Sequence, residues 1–212
     1  MKLSILLAKL SLAVLAVTVL VDDKPVKKIE EGLLDRIELY VATLPTPAEQ
    51  TVIVRPFTSE KAELGTGNKE GDKDEQDEAK KMQTEGPKYL AEALIAKLKD
   101  EGGFKGGTAG TADAPPAEAN TLIVEGQFTE LDPGSRAKRY FVGFGAGKAA
   151  VTVKGTIKDG SGKLLATFTQ RRVGSMGVAG GDSVKKMTSD CKSIGEDIAK
   201  FLSAWAKGKK LD

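Results

Sequence analysis

Seven apolar residues, Val184, Met187, Cys191, Ile194, Ile198, Phe201 and Trp205, recur at intervals that alternate between three and four. Side chains at that spacing share one face of an α-helix, so the run is an amphipathic helix of about six turns. Asp182 or Ser183 stands where a side-chain oxygen can cap its first turn. An apolar stripe this long has to be covered, and the preceding residues supply a sheet to cover it. "TLIVEGQFTEL" from Thr121 reads as a strand, closed by the turn Asp132-Pro133-Gly134. "AAVTVKGTIKD" alternates with Val151, Val153 and Ile157 on one side, "GSG" turns it, and "KLLATFTQRRV" returns as a hairpin partner. Upstream, "TVIVRPF" (Thr51–Phe57) is a β-branched strand that stops at a proline. "PKYLAEALIAKLKDEGG" from Pro87 sets Leu90, Ala93, Leu94 and Leu98 on one helical face, and Gly102-Gly103 ends it. Residues 74–85 fit a continuation of that helix through a kink at Gly86-Pro87. The order predicts a two-layer α/β sandwich, a mixed sheet of four or five strands packed by two main helices.

The chain divides around that core. Residues 1–21 carry Lys2, Lys9 and a twelve-residue apolar run, Leu10–Val21. The run is short for a transmembrane helix and suits the apolar region of an export signal, either cleaved or kept as an anchor. Residues 22–50 are a charged linker in which "LLDRIELYVATL" fits a short helix or an extra edge strand, and Pro45 and Pro47 close it. Residues 51–207 form a single α/β domain, and 208–212 a basic tail. Gly102–Asn120, with adjacent prolines, is a surface connection.

Composition removes several chemistries. The chain has no histidine, which excludes the usual general base, the triad imidazole and the commonest transition-metal ligand. One cysteine among 212 residues leaves no intramolecular disulfide and no thiolate metal site. A net charge of +2 and an aromatic share of 5% argue against nucleic acid. Asp72, Asp74 and Gln76 alternate as calcium ligands would, but the turn glycine and closing glutamate of that loop are misplaced, which leaves a solvated loop. A hydrolase built on paired carboxylates would draw on Glu125, Glu130 and Asp132, yet these lie along one strand with no converging partner.

The stretch "DPGSRAKRYFVGFGAG", Asp132–Gly147, invites a phosphate-binding reading. A Walker loop fails: Val142 stands where its first glycine belongs, and Ala149 follows Lys148 in place of Ser or Thr. The dinucleotide pattern fails too, because a strand and not a helix follows. Gly143, Gly145 and Gly147 instead permit close packing, with Phe141 and Phe144 supplying contacts. Arg136, Lys138 and Arg139 then occupy an exposed turn. The functional alternative makes Arg136, Lys138, Arg139, Gly143, Phe144, Gly145 and Gly147 a binding surface for an anionic partner, lipid headgroups included.

Gly134-Ser135-Arg136, Arg139, Gly143-Phe144-Gly145-Ala146-Gly147, then Val151, Val153, Asp159 and Gly162, with "VIVRPF" upstream, carry a resemblance. The chain resembles, over about residues 51–205, the family of bacterial envelope proteins labelled domain of unknown function four-four-one-zero, whose members are often lipoproteins. At fold level the family is similar to the curli secretion lipoprotein and to the amino-terminal domain of the Tol-Pal propeller protein. The resemblance implies no catalytic residues. This chain departs from lipoprotein members in having no cysteine after its leader.

The reading is an exported periplasmic or envelope protein, not an enzyme, without cofactor, metal, nucleotide or nucleic acid. It binds a protein partner or the membrane surface as an assembly module. The alternative is a small anionic ligand held by the glycine/arginine stretch 134–148.

Overall fold

The computed structural model describes residues 24–65, 73–111, 120–135, 148–174 and 182–212. Its elements are β1 (Lys27–Glu30), β2 (Arg36–Leu39), a 3-10 turn (Pro47–Glu49), β3 (Thr51–Val54), β4 (Glu63–Leu64), α1 (Lys73–Glu101), β5 (Gly106–Ala109), β6 (Thr121–Asp132), β7 (Ala149–Asp159), β8 (Leu164–Gly174) and α2 (Ser183–Ala206). The strands form one open mixed sheet in the order β1-β2-β8-β7-β6-β3-β5, with β4 also on β6. The pairs β1–β2, β2–β8, β8–β7 and β7–β6 are antiparallel, while β3 is parallel to both β6 and β5 and β4 is parallel to β6. Parallel neighbours need a long crossover, and α1 is the crossover from β3 to β5.

The α/β class and the two helices are as the sequence predicts, and the sheet is larger. Eight strands replace the expected four or five. The extra ones come largely from the stretch read as a linker: β1 and β2 form a hairpin that pairs antiparallel with β8, Arg36 opposite Thr169 through Leu39 opposite Ala166. Ile29, Leu34, Ile37 and Leu39 are buried by it. These strands are four residues long and charged on their outer positions, which is why they read as linker, and in β1 it is how an edge strand avoids further pairing. The basic tail also joins the fold. Leu211, its one apolar residue, is buried, and its carbonyl accepts from Leu33 N–H at 2.9 Å.

Helix α1 runs without a break through Pro87, burying Ala79, Met82, Gly86, Leu90, Leu94 and Leu98. Helix α2 buries Met187, Cys191, Ile194, Ile198, Phe201 and Trp205, as its spacing requires. Asp182 caps it, its carboxylate accepting from Lys185 N–H at 3.0 Å. Trp205 Nε1 donates to the Ala42 carbonyl at 3.2 Å, tying the helix end to the chain after β2. No helix among the described residues is long and apolar enough to cross a membrane. The leader lies outside them.

At the crossing of α1 and α2, Gly195 faces the Leu90 carbonyl and the Leu94 amide so closely that a Cβ would overlap backbone atoms. Gly195→Ala should therefore cost about 1–3 kcal/mol through forced helix separation. Urea unfolding of the variant checks this; unchanged stability would mean the helices have room to move. Cys191 is fully buried, and burial pushes its thiol up to about 12. It should resist a thiol reagent under native conditions and react fully once the protein is unfolded in denaturant.

Candidate functional site

Both helices cover the same face of the sheet. On that side point Leu122, Val124, Phe128, Val151, Val153, Ile157, Phe168, Ile37 and Leu39. A bulge between Phe128 and Glu130 restores the inward phase at Leu131. The alternate residues point to the helix-free face, and there the register sets them in two rows across five strand segments. One row is Arg36, Thr169, Lys154, Gln127 and Thr58; the other is Glu38, Thr167, Thr156, Glu125 and Arg55. Together they line a groove of about 660 Å³. Beneath it Gly126 and Gly155 pair across β6 and β7, and the rings of Phe57 and Phe168 occupy the space their side chains would take. This is how aromatic neighbours support glycine in a sheet interior.

The charges of the groove are paired asymmetrically. Glu38 accepts from Lys28 at 3.2 Å and Arg36 at 3.1 Å. Glu125 accepts from Lys158 at 2.5 Å and Arg55 at 3.1 Å. The Lys28 ammonium holds the Glu38 carboxyl below the usual glutamate range, and Lys158, then Arg55, does the same for Glu125. Lys154 is exposed at the centre and has no carboxylate partner among the described residues. Arg36 is shared with Glu30 as well, its Nε 3.4 Å from that carboxylate.

Of the carboxylates the sequence singled out, the structure brings none together. Glu125 lies in the groove. Glu130 sits five residues on, about 17 Å away along the strand, where Arg171 grips it with Nε at 2.9 Å and Nη2 at 3.0 Å and lowers its pKa. Asp132 accepts from the Gly134 N–H at 2.7 Å and closes the turn after β6. Among the described residues no group of His, Cys, Asp or Glu is placed to hold a metal ion. Arg136, Lys138, Arg139, Gly143, Phe144, Gly145 and Gly147 lie outside the described residues. Their flanks are visible: Gly134 takes a positive φ of 75° and Ser135 is buried.

The groove residues Arg36, Glu38, Arg55, Lys154, Thr156, Thr167 and Thr169 carry no motif. Their only signal is the outward phase of alternating strands, and it becomes a site only when the register aligns them.

A family model described as Domain of unknown function (DUF4410) matches residues 52–178. The chain belongs to this family. The matched stretch runs from β3 past β8, so it includes Arg55, Glu125, Gln127, Lys154, Thr156, Thr167 and Thr169, whereas Arg36 and Glu38 come from the hairpin before it. No curated protein matches the chain. Among solved structures it is similar to the PelC dodecamer from Paraburkholderia phytofirmans, with 14% identity, TM-score 0.46, and 77% of this chain and 96% of that one covered. A variant of that dodecamer has 12% identity, TM-score 0.43, and 76% and 97% coverage. An uncharacterised protein has 14% identity, TM-score 0.39, and 74% and 95% coverage.

Glu38, Glu125 and Glu130 have folded pKa values below the ordinary 4.5. Their contribution to stability is complete above the unfolded value and disappears as pH falls through the lowered folded values. Glu125→Gln should therefore flatten the acid limb of stability below about pH 4.5 relative to wild type, read from urea midpoints between about pH 7 and pH 3. An acid limb identical to wild type would remove Glu125 from the folded-state network.

Proposed function

We propose that this chain is an exported cell-envelope protein whose α/β domain is a non-catalytic partner-binding or assembly module, and that the helix-free face of the sheet is its docking surface. The observation that carries the reading is the groove itself. A broad sheet face is left uncovered by either helix, and the groove's two carboxylates, Glu38 and Glu125, are each held by two cations, ionised and unsuited to donate a proton as a general acid. The threonine and glutamine positions between them offer hydrogen-bonding groups without a nucleophile–base pair. A long open recess of mixed polar and apolar lining suits a partner's surface better than a reaction centre. Export is supported by the apolar run Leu10–Val21 behind Lys2 and Lys9 and by the resemblance to envelope proteins.

The test uses the full chain expressed in its own envelope. A tagged wild type should fractionate with the envelope, and removal of residues 1–21 should leave a folded domain in the cytoplasm. Thr167→Trp, which fills the groove at a position where strands accept aromatics, should keep the melting temperature and lose the co-purifying partner. Retention of the same partner by the Trp variant would rule the groove out as the docking surface.

A further inference from the structure

Strand β1 closes one end of the sheet, and its outer edge meets no other strand among the described residues. The Glu31 N–H donates to the Asp35 carbonyl at 2.9 Å, so antiparallel alternation turns the backbone groups of Ile29 and Lys27 toward β2. Those of Lys28 and Glu30 therefore point out from the free edge. Charge keeps unlike strands off such an edge, but the order of these charges is complementary to itself. Lys27-Lys28-Ile29-Glu30-Glu31 reads cationic, cationic, apolar, anionic, anionic. Turned about a two-fold axis through Ile29, the stretch meets its own complement. Lys28 falls opposite Glu30 of the second copy, and Ile29 opposite Ile29. Lys27 falls beside Glu31, where a φ of 56° ends the strand. Opposed residues of an antiparallel pair share a face, so this register keeps both helix layers on one side of the joined sheet. An axis through Lys28 would set lysine against lysine, which is destabilising.

The match needs no unpaired charge. Within one chain Lys28 lies 3.2 Å from Glu38 and Arg36 lies 3.4 Å from Glu30. The Lys28 and Glu30 side chains nevertheless stay 56% and 61% exposed, open to a second partner on the outer side. Across the axis the signs then alternate without a break, from Glu38 to Lys28 and on to Glu30 and Arg36 of the second copy. Apolar surface agrees with charge. Of the three exposed large hydrophobic residues among those described, two, Val26 and Leu33, bracket β1. The same axis brings Val26 of each copy beside the Gly32–Leu33 turn of the other. At the opposite end of the sheet, β5 (Gly106–Ala109) carries no charge and would leave those of β1 unmatched. We infer that two copies of this chain associate edge to edge through antiparallel β1 strands, about a two-fold axis at Ile29, into one continuous sheet. This surface is separate from the groove, and the pairing sets two grooves on the same side of the joined sheet.

Sedimentation equilibrium of the full chain, in a mild detergent that shields residues 1–21, should give twice the monomer mass. Lys28→Glu and Glu30→Lys each create like-charge pairs on both sides of the axis and should weaken association about tenfold. Combining the two restores opposite charges in exchanged order and should bring association back to within about threefold of wild type. Lys88→Glu, the same charge change on α1, should leave it within about twofold. Amide hydrogen exchange reads the seam without any substitution. In the associated protein Lys28 and Glu30 should exchange as slowly as Ile29, and on dilution to the monomer they should exchange fast. Three results would overturn the inference: a wild type that stays monomeric at its highest soluble concentration, equal association in wild type and both single variants, or fast exchange at Lys28 and Glu30 in the associated protein. A double variant that melts with wild type yet does not associate would overturn it too. Should the double variant melt lower, the exchange rates decide.

Discussion

The close crossing of α1 and α2 is the contact on which the rest of the molecule depends. Gly195 brings the α2 backbone against the Leu90 carbonyl, a separation that no side chain allows. Two helices held this tightly form one layer, and their stripes, Met82 to Leu98 on α1 and Met187 to Trp205 on α2, reach the same side of the sheet. Most of the hydrophobic burial is therefore on one face. Wider separation of the helices would open voids in the layer, and close-packed interiors tolerate few of these.

That one-sidedness decides the character of the other face. Along the groove the outward residues of β2, β8, β7 and β6 are Thr, Lys, Gln, Arg and Glu, and neighbouring strands bring opposite charges within bonding distance. The same sheet carries a dry core of aliphatic and aromatic side chains beneath and a lattice of ion pairs above. Gly126 and Gly155 mark the place where the two meet: aromatic rings support the strands from below, and the groove lies above. The edges of the sheet are guarded by charge and brevity, β1 by its lysines and glutamate, β5 by its short glycine-rich span.

Much of the core was legible because its periods are long. Seven positions from Val184 to Trp205 step like a helix, and Val151, Val153 and Ile157 step like a strand, so each element announces its buried face. The hairpin of β1 and β2 was not, since four-residue strands with charged outer positions give too few apolar repeats to separate strand from linker. Leu211 illustrates the same limit: a single apolar residue among lysines has no period, and only its seat beside Leu33 and Ile29 explains its burial. The candidate site was the least legible part. Attention falls on glycine and arginine clusters because they are contiguous, whereas Lys154 lies about a hundred residues of chain from Arg36 and Arg55 and shares no motif with them.

The sequence by itself determined the elements: which residues form the two helices and the central strands, which of their faces are apolar, and which chemistries lack their residues. It did so because periodicity and composition are local or additive properties of a chain. The tertiary structure alone decided strand order, register and the placement of both helices on one side. Those choices pair residues far apart in sequence. Arg36 enters the row of Lys154 only because β2 pairs with β8 and β8 with β7, and Arg55 enters the neighbouring row only because β3 lies beside β6. A shift of one residue in any of these ladders would turn the groove residues into the core, so the site exists only at this register.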